Sequence, residues 1–310
     1  MNRANAHSRF IRPRSIAGLD VTAILPRAQR VVRLYYAVLF VLSLLQALGS
    51  LDRSLSPGNA LWPVAWAAHL GITGVLFIRA LFIAGALAAM LKPEQRWARL
   101  LAFVGCLEFN AFSNSFGKIN HSSHLWVVTA LLLVFLPKAS RDRRASGHEY
   151  LTVVWYCQAF VLLTYSMAGF AKVVQAVGQW RGGDRYWLLS PEALSAHVAS
   201  HFIDMDHGTT AGNAIITHPW LGFAVFLPAV CLELGAFGVS FVPRLHRIWG
   251  VGLILLHAGI LSVMGLNFYP AMLLLAVLIC GSPFAAPLFA ARGEPGSVFQ
   301  KLSSPIDLGR

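Results

Sequence analysis

Tyr165-Ser166-Met167-Ala168-Gly169-Phe170-Ala171-Lys172-Val173-Val174-Gln175-Ala176-Val177-Gly178-Gln179-Trp180 closes an apolar run that begins at about residue 149. The run is long enough to cross a hydrocarbon core of ~30 Å, which takes ~20 helical residues. Near its end stands one lysine, about four residues inside an outer boundary near 176, or ~6 Å at the helical rise. An ammonium there is costly unless it is paired, snorkels to the headgroups, or is kept neutral for chemistry. The residues around it leave all three open. Tyr165, Ala168, Gly169 and Ala176 are its helical neighbours, and the small ones let another helix or a flat ligand approach closely. Apolar surroundings also help a lysine lose its proton and serve as a general base.

Composition agrees with a membrane chain. Of 310 residues, 56% are hydrophobic and only 12% charged, with mean hydropathy +0.61; a soluble domain would need more charge to cover its surface. The net charge of +12 would suggest nucleic acid in a soluble protein, but no base-reading motif accompanies it. Cys106, Cys157, Cys231 and Cys280 all fall inside apolar runs, which excludes a disulfide framework and a CxxC pair. They are read as packing residues.

Apolar runs recur at about 31–50, 69–90, 97–117, 122–137, 149–176, 219–242, 246–266 and 268–290. The expected fold is therefore an all-α polytopic transmembrane helix bundle of about eight spans. The third run is interrupted by Glu108, Asn110, Ser113, Asn114 and Ser115, and the fourth is short. The 25 lysines and arginines alternate as the positive-inside rule requires if both termini are cytoplasmic; the exceptions are Arg53, Lys118, Lys172, Arg181 and Arg185 at outer positions and Arg79 within the membrane. Residues 1–30 are then a basic cytoplasmic segment ahead of an uncleaved first span, 31–290 the transmembrane domain and 291–310 a cytoplasmic tail. One outside connection is long, at about 177–218. Within it Ser190-Pro191-Glu192 reads as N-cap, N1 proline and first-turn acid, and Leu194, Val198 and Phe202 recur at helical spacing. These predict a short amphipathic helix on the outer membrane face. A multi-pass protein of the bacterial inner membrane is the expected localisation.

Further ionisable groups lie inside the spans. Glu108 is about nine residues from the outer end near 117 and Arg79 about ten from the outer end near 69, and this equal depth predicts an intramembrane Arg79–Glu108 pair. Glu233 and His257 should face the bundle interior. His121 and His124 open the fourth span behind Asn120 at i, i+3, a spacing that can present two imidazoles to a metal; without a third ligand nearby in sequence, a capping asparagine and interfacial histidines are favoured. His197 and His201, at i, i+4 and followed by Asp204, Asp206 and His207, form a better metal pattern, although a solvated polar face remains the preferred reading. No metal is expected. No HExxH, Walker loop, GxSxG or dinucleotide fingerprint is present.

Asn120-His121-Ser122, then Ala168-Gly169-Phe170-Ala171-Lys172, Trp180, Trp187-Leu188-Leu189-Ser190-Pro191, His257 and Gly281-Ser282-Pro283-Phe284 together resemble the membrane half of vitamin K-dependent γ-carboxylase and the wider bacterial HTTM (horizontally transferred transmembrane) family. The resemblance runs in the same order over most of about 100–285. It implies that Lys172 acts as base toward a reduced quinone, with His121 and His257 in the active-site region. Asn120, Tyr165, Gly169 and Trp180 would border the quinone. The implied reaction uses dioxygen to turn a hydroquinone into its epoxide, generating a base that removes a glutamate γ-proton before carbon dioxide adds. Two features depart from the family. The animal carboxylases continue into a large lumenal portion where this chain ends, and Ala171 replaces the first of the family's paired lysines.

Two readings of function follow. One is a quinol-dependent carboxylase or epoxidase-type enzyme with its site at the extracytoplasmic face. The other is a non-catalytic quinone- or lipid-binding partner of a redox or biosynthetic complex. A small-solute transporter ranks behind both, because inverted repeats and broken helices are missing from the sequence. The partners expected are the bilayer, a lipophilic quinone and either a protein substrate or a membrane partner. Nucleic acid is not among them.

Overall fold

The computed structural model describes residues 20–49, 60–116, 123–137, 144–206 and 208–285. Regular structure is helical throughout, with no strand among the described residues. In chain order the helices are α1 (Val21–Leu48), α2 (Ala65–His69), α3 (Ile72–Leu91), α4 (Arg96–Asn114), α5 (His124–Val134), α6 (Arg144–Arg181), α7 (Ala193–Met205), α8 (Thr210–Thr217), α9 (Pro219–Val239), α10 (His246–Met264) and α11 (Tyr269–Leu275), the last continuing as a π-helical turn, Ala276–Cys280.

Each of the eight apolar runs falls on helix, but among the described residues five helices are long and apolar enough to cross a membrane: α1, α3, α6, α9 and α10. α4 carries too many polar residues for that. α5, with 11 residues, extends only about 17 Å, well short of a ~30 Å core. The last run stops being helical at Cys280, where Gly281-Ser282-Pro283 turns the chain. α1 starts ten residues earlier than its apolar run, because Asp20 caps it by accepting from Thr22 N at 2.9 Å. Residues 21–30 are thus the first turns of α1.

α3 and α4 pack closely along their length, and glycine makes the approach possible. A Cβ on Gly85 would lie 2.6 Å from Leu101 O, and one on Gly105 2.8 Å from Leu81 O. Phe82 and Phe109 stack beside this seam, 4.8 Å between centroids. The expected Arg79–Glu108 ion pair is not formed. Arg79 meets α4 one turn beyond Glu108, with its guanidinium 5.8 Å from the Phe112 centroid, while Glu108 accepts from Trp66 Nε1 at 3.2 Å. Equal depth did not place the two side chains at the same point of contact.

Polar side chains in the interior bond to backbone carbonyls of neighbouring helices, as a water-poor environment demands. Tyr35 donates to Trp126 O at 2.8 Å, and Trp126 Nε1 to Pro270 O at 2.8 Å, pinning short α5 between α1 and α11. Gln158 Nε2 donates to Leu278 O at 2.6 Å. α6 is the spine of the molecule: 38 residues, about 57 Å long. Its first half is buried in the core, whereas its second half buries only Tyr165, Gly169 and Ala176 and leaves Met167, Phe170 and Val174 bare. Apolar side chains that remain so exposed suit lipid and not water.

The amphipathic helix expected in the long connection is α7. Glu192, and not Ser190, occupies its N-cap position. Its apolar side turns to the protein: Val198 is fully buried, and Phe202 packs on Gly212 of α8.

Candidate functional site

The stripe on α6 sets the site. Tyr165, Gly169, Lys172 and Ala176 recur at the helical period and face α9 and α10. At Gly169 the backbone of α9 comes so near that a Cβ would stand 2.8 Å from Leu234 N and 2.9 Å from Glu233 Cβ. Ser166 fastens the same crossing: its hydroxyl donates toward the Glu233 and Leu234 carbonyls at 3.1 and 2.9 Å and accepts from Phe237 N at 2.8 Å. The space beside Gly169 is therefore filled by a helix, so this glycine is not available to a quinone ring.

One turn along the stripe, Lys172 Nζ lies 2.5 Å from both carboxylate oxygens of Glu233. The Glu233 side chain is 6% exposed and that of Lys172 34%. Among the three ways of tolerating the lysine, the fold uses pairing. The ammonium turns inward to α9 and does not snorkel outward. The helix itself continues well past the apolar run, to Arg181, about 14 Å beyond Lys172. Neither charge would be stable alone in such surroundings.

The pair forms part of the wall of an apolar cavity of about 580 Å³. α9 contributes Phe226 and Leu232, and α10 contributes Leu256 and Gly259. A Cβ on Gly259 would meet nothing within 4 Å. Leu194 and His197 of α7 border one side, and Phe268 another. Large apolar volume with few convergent polar groups is the usual form of a small-molecule site, and this volume is within the ~300–1,000 Å³ such sites occupy.

A second polar contact lies behind the first. Tyr165 Oη and His257 Nε2 are 2.6 Å apart, both buried, and the His257 ring packs against Phe268 at 5.3 Å. His257 Nδ1 has no hydrogen-bond partner among the described residues. Lys172 is within electrostatic reach of that imidazole, and Glu233 of the Tyr165 hydroxyl.

The residues singled out in the sequence separate into three groups. Lys172, Tyr165, Gly169 and His257 are brought to one crossing of α6, α9 and α10, with Lys172 alone among them lining the cavity. Trp180 is 63% exposed and lies off the stripe, since eight residues carry it about 80° around the helix from Lys172. His121 and Asn120 lie outside the described residues. His124 meets Asn114 Nδ2 at 3.2 Å. His197 reaches the cavity, whereas His201 is within 3.0 Å of Met264 O; no group of three or more potential metal ligands occurs among the described residues. What the sequence reading missed is Glu233 as the partner of Lys172. The signal available was opposite charge on consecutive long spans.

Comparison with known proteins finds no matching family model, no matching curated protein and no matching solved structure.

Proposed function

We propose that this chain is a membrane enzyme of the HTTM and γ-carboxylase type, which binds a reduced quinone in the α9–α10 cavity and takes a proton from its hydroxyl at Lys172. The carrying observation is the Lys172–Glu233 pair on the wall of an apolar cavity. The residues fit such a group: the cavity offers apolar walls for a flat ring, and the Lys172–Glu233 pair and His197 as polar groups for its oxygens. When bound, a hydroquinone supplies reducing electrons to dioxygen. Glu233 gives Lys172 a way to become a base without releasing a proton to water. Proton transfer within the pair, from ammonium to carboxylate, would leave a neutral amine on the cavity wall. The neutral amine can then accept a hydroxyl proton. His197 is the other polar side chain on the cavity wall, and His257, hydrogen-bonded to Tyr165, lies behind that wall. Glutamate carboxylation on a protein substrate is the extension of this reading.

The alternative, a non-catalytic quinone- or lipid-binding partner, draws support from the same pair. A lysine held by a carboxylate needs no reaction to explain it. Occupancy is common to both readings, so it is tested first. Mass spectrometry of lipids extracted from purified protein is expected to find a quinone close to one per chain, and Gly259→Phe, which fills the cavity from an open position, is expected to lose it. Wild-type protein carrying only bulk phospholipid would overturn the proposal.

The topology belongs to the same proposal. In the proposed topology, about eight crossings with both termini in the cytoplasm of a bacterium, α7 and the Lys172 cavity lie toward the outer face; an inside N terminus puts them there equally if only the five long helices cross. Asp204 and Arg244 are both exposed and lie near opposite ends of α9. In a background without native cysteines, Asp204→Cys is expected to react with an impermeant maleimide in whole cells, and Arg244→Cys only after lysis. The reverse pattern would invert the topology.

A further inference from the structure

Away from the Lys172 cavity, where α1 and α10 begin, lies a second pocket of about 270 Å³. Arg27 and Arg30 reach it from α1 at i, i+3, and Arg247 from α10. Its floor is the turn Gly281-Ser282-Pro283 that follows the π-helical segment. Among the described residues the two ion pairs are Arg33–Glu94 and Lys172–Glu233, so none of these three arginines has an acidic partner there. Arg30 donates through Nε to Pro26 O at 3.4 Å, a bond that does not engage its two terminal nitrogens.

Three like charges around one pocket repel each other unless an anion lies between them. The floor is a turn held rigid from beneath. The Ser282 hydroxyl is 2% exposed and held 2.7 Å from Nδ1 of fully buried His246. From this end both helices run away in the same sense, and both leave apolar side chains bare along the way: Leu34 and Val41 on α1, Val251 on α10. A small soluble anion would have no use for those stripes.

We propose that this pocket holds the phosphate of an anionic, two-chain phospholipid, whose acyl chains lie along α1 and α10. Guanidinium forks match phosphate oxygens, and basic pockets between spans are suited to anionic headgroups. A phosphatidylcholine headgroup has the same phosphate but adds a cation that the three arginines repel. Discrimination should therefore follow headgroup charge. The inference is independent of what occupies the Lys172 cavity.

The test is native mass spectrometry of full-length protein from nanodiscs containing equal amounts of palmitoyl-oleoyl phosphatidylglycerol and phosphatidylcholine. Wild-type protein is expected to retain phosphatidylglycerol selectively. Arg27→Gln/Arg30→Gln/Arg247→Gln should weaken that retention on the order of a hundredfold, at roughly one kcal/mol for each charge. Arg33→Gln removes an equal charge one turn along α1, outside the pocket, and should retain the lipid. Millimolar inorganic phosphate should not displace it. Equal retention of both lipids by the wild type would overturn the proposal, as would undiminished phosphatidylglycerol on the triple variant. Displacement by phosphate would reduce the site to one for a free anion and overturn the lipid assignment.

Discussion

Lys172→Arg is expected to leave the protein folded and binding quinone, yet unable to oxidise a reduced naphthoquinone with dioxygen. The substitution separates two roles that alanine would remove together. Arginine can reproduce the ion pair with Glu233, and its planar fork suits a carboxylate better than an ammonium does. It cannot release its proton at any usable pH. A boundary or pairing lysine would thus tolerate arginine, whereas a base would not. General-base contributions run at ~10²–10⁴-fold, so turnover should fall by about that factor at unchanged folded yield. Lys172→Ala should lose turnover as well, together with stability. Wild-type turnover in Lys172→Arg would show that Lys172 is not the base, leaving the non-catalytic reading as the better account of the cavity.

How much of this was legible beforehand differs between the fold and the site. Hydropathy located the helices that fall on the eight apolar runs, because burial in an apolar medium is recorded locally, residue by residue; it did not show the short helices α2 and α8. It misplaced helix ends for the same reason. α6 continues past the apolar residues to Arg181, and its stop is marked by backbone geometry: Gly183 has φ 77°, Gly183 N donates to Trp180 O at 3.1 Å, and Asp184 N donates to Gln179 O at 3.0 Å. Gly182-Gly183 was the available signal for where the helix ends. α1 was likewise extended by its Asp20 cap, which hydropathy does not record.

The charge pairing was harder to read. Arg79 and Glu108 matched in depth, yet Glu108 bonds Trp66 and Arg79 meets Phe112. Lys172 and Glu233 did not match in depth by apolar-run counting and nevertheless pair. Which charges meet depends on where helices cross, and the crossing of α6 and α9 is fixed by Gly169 and Ser166, small residues whose packing role is not visible without the partner helix. The same glycine illustrates the ambiguity well: its lack of a side chain admits either a ring or a backbone, and in this structure the backbone takes the space.

The Lys172–Glu233 contact can be weighed by a double-mutant cycle with leucine. Removing one member of a buried ion pair typically costs ~3–5 kcal/mol, because the survivor is stranded, whereas replacing both with apolar residues can be nearly neutral. The two single losses should differ here. Lys172→Leu strands a carboxylate that is 6% exposed, on α9 among apolar neighbours. Glu233→Leu strands an ammonium that is 34% exposed and has a long flexible stem to carry it toward water. Lys172→Leu should therefore be the more destabilising of the two in detergent unfolding, toward the upper end of that range. The double variant should recover most of the loss, with a coupling energy of about 2–3 kcal/mol, within the span found for residues in direct contact. Arg79→Leu and Glu108→Leu provide the contrast, since those residues share no ion pair and their losses should add. Additive losses at Lys172 and Glu233 would mean that the two charges do not stabilise one another, and that the crossing is held by Gly169 and Ser166 alone.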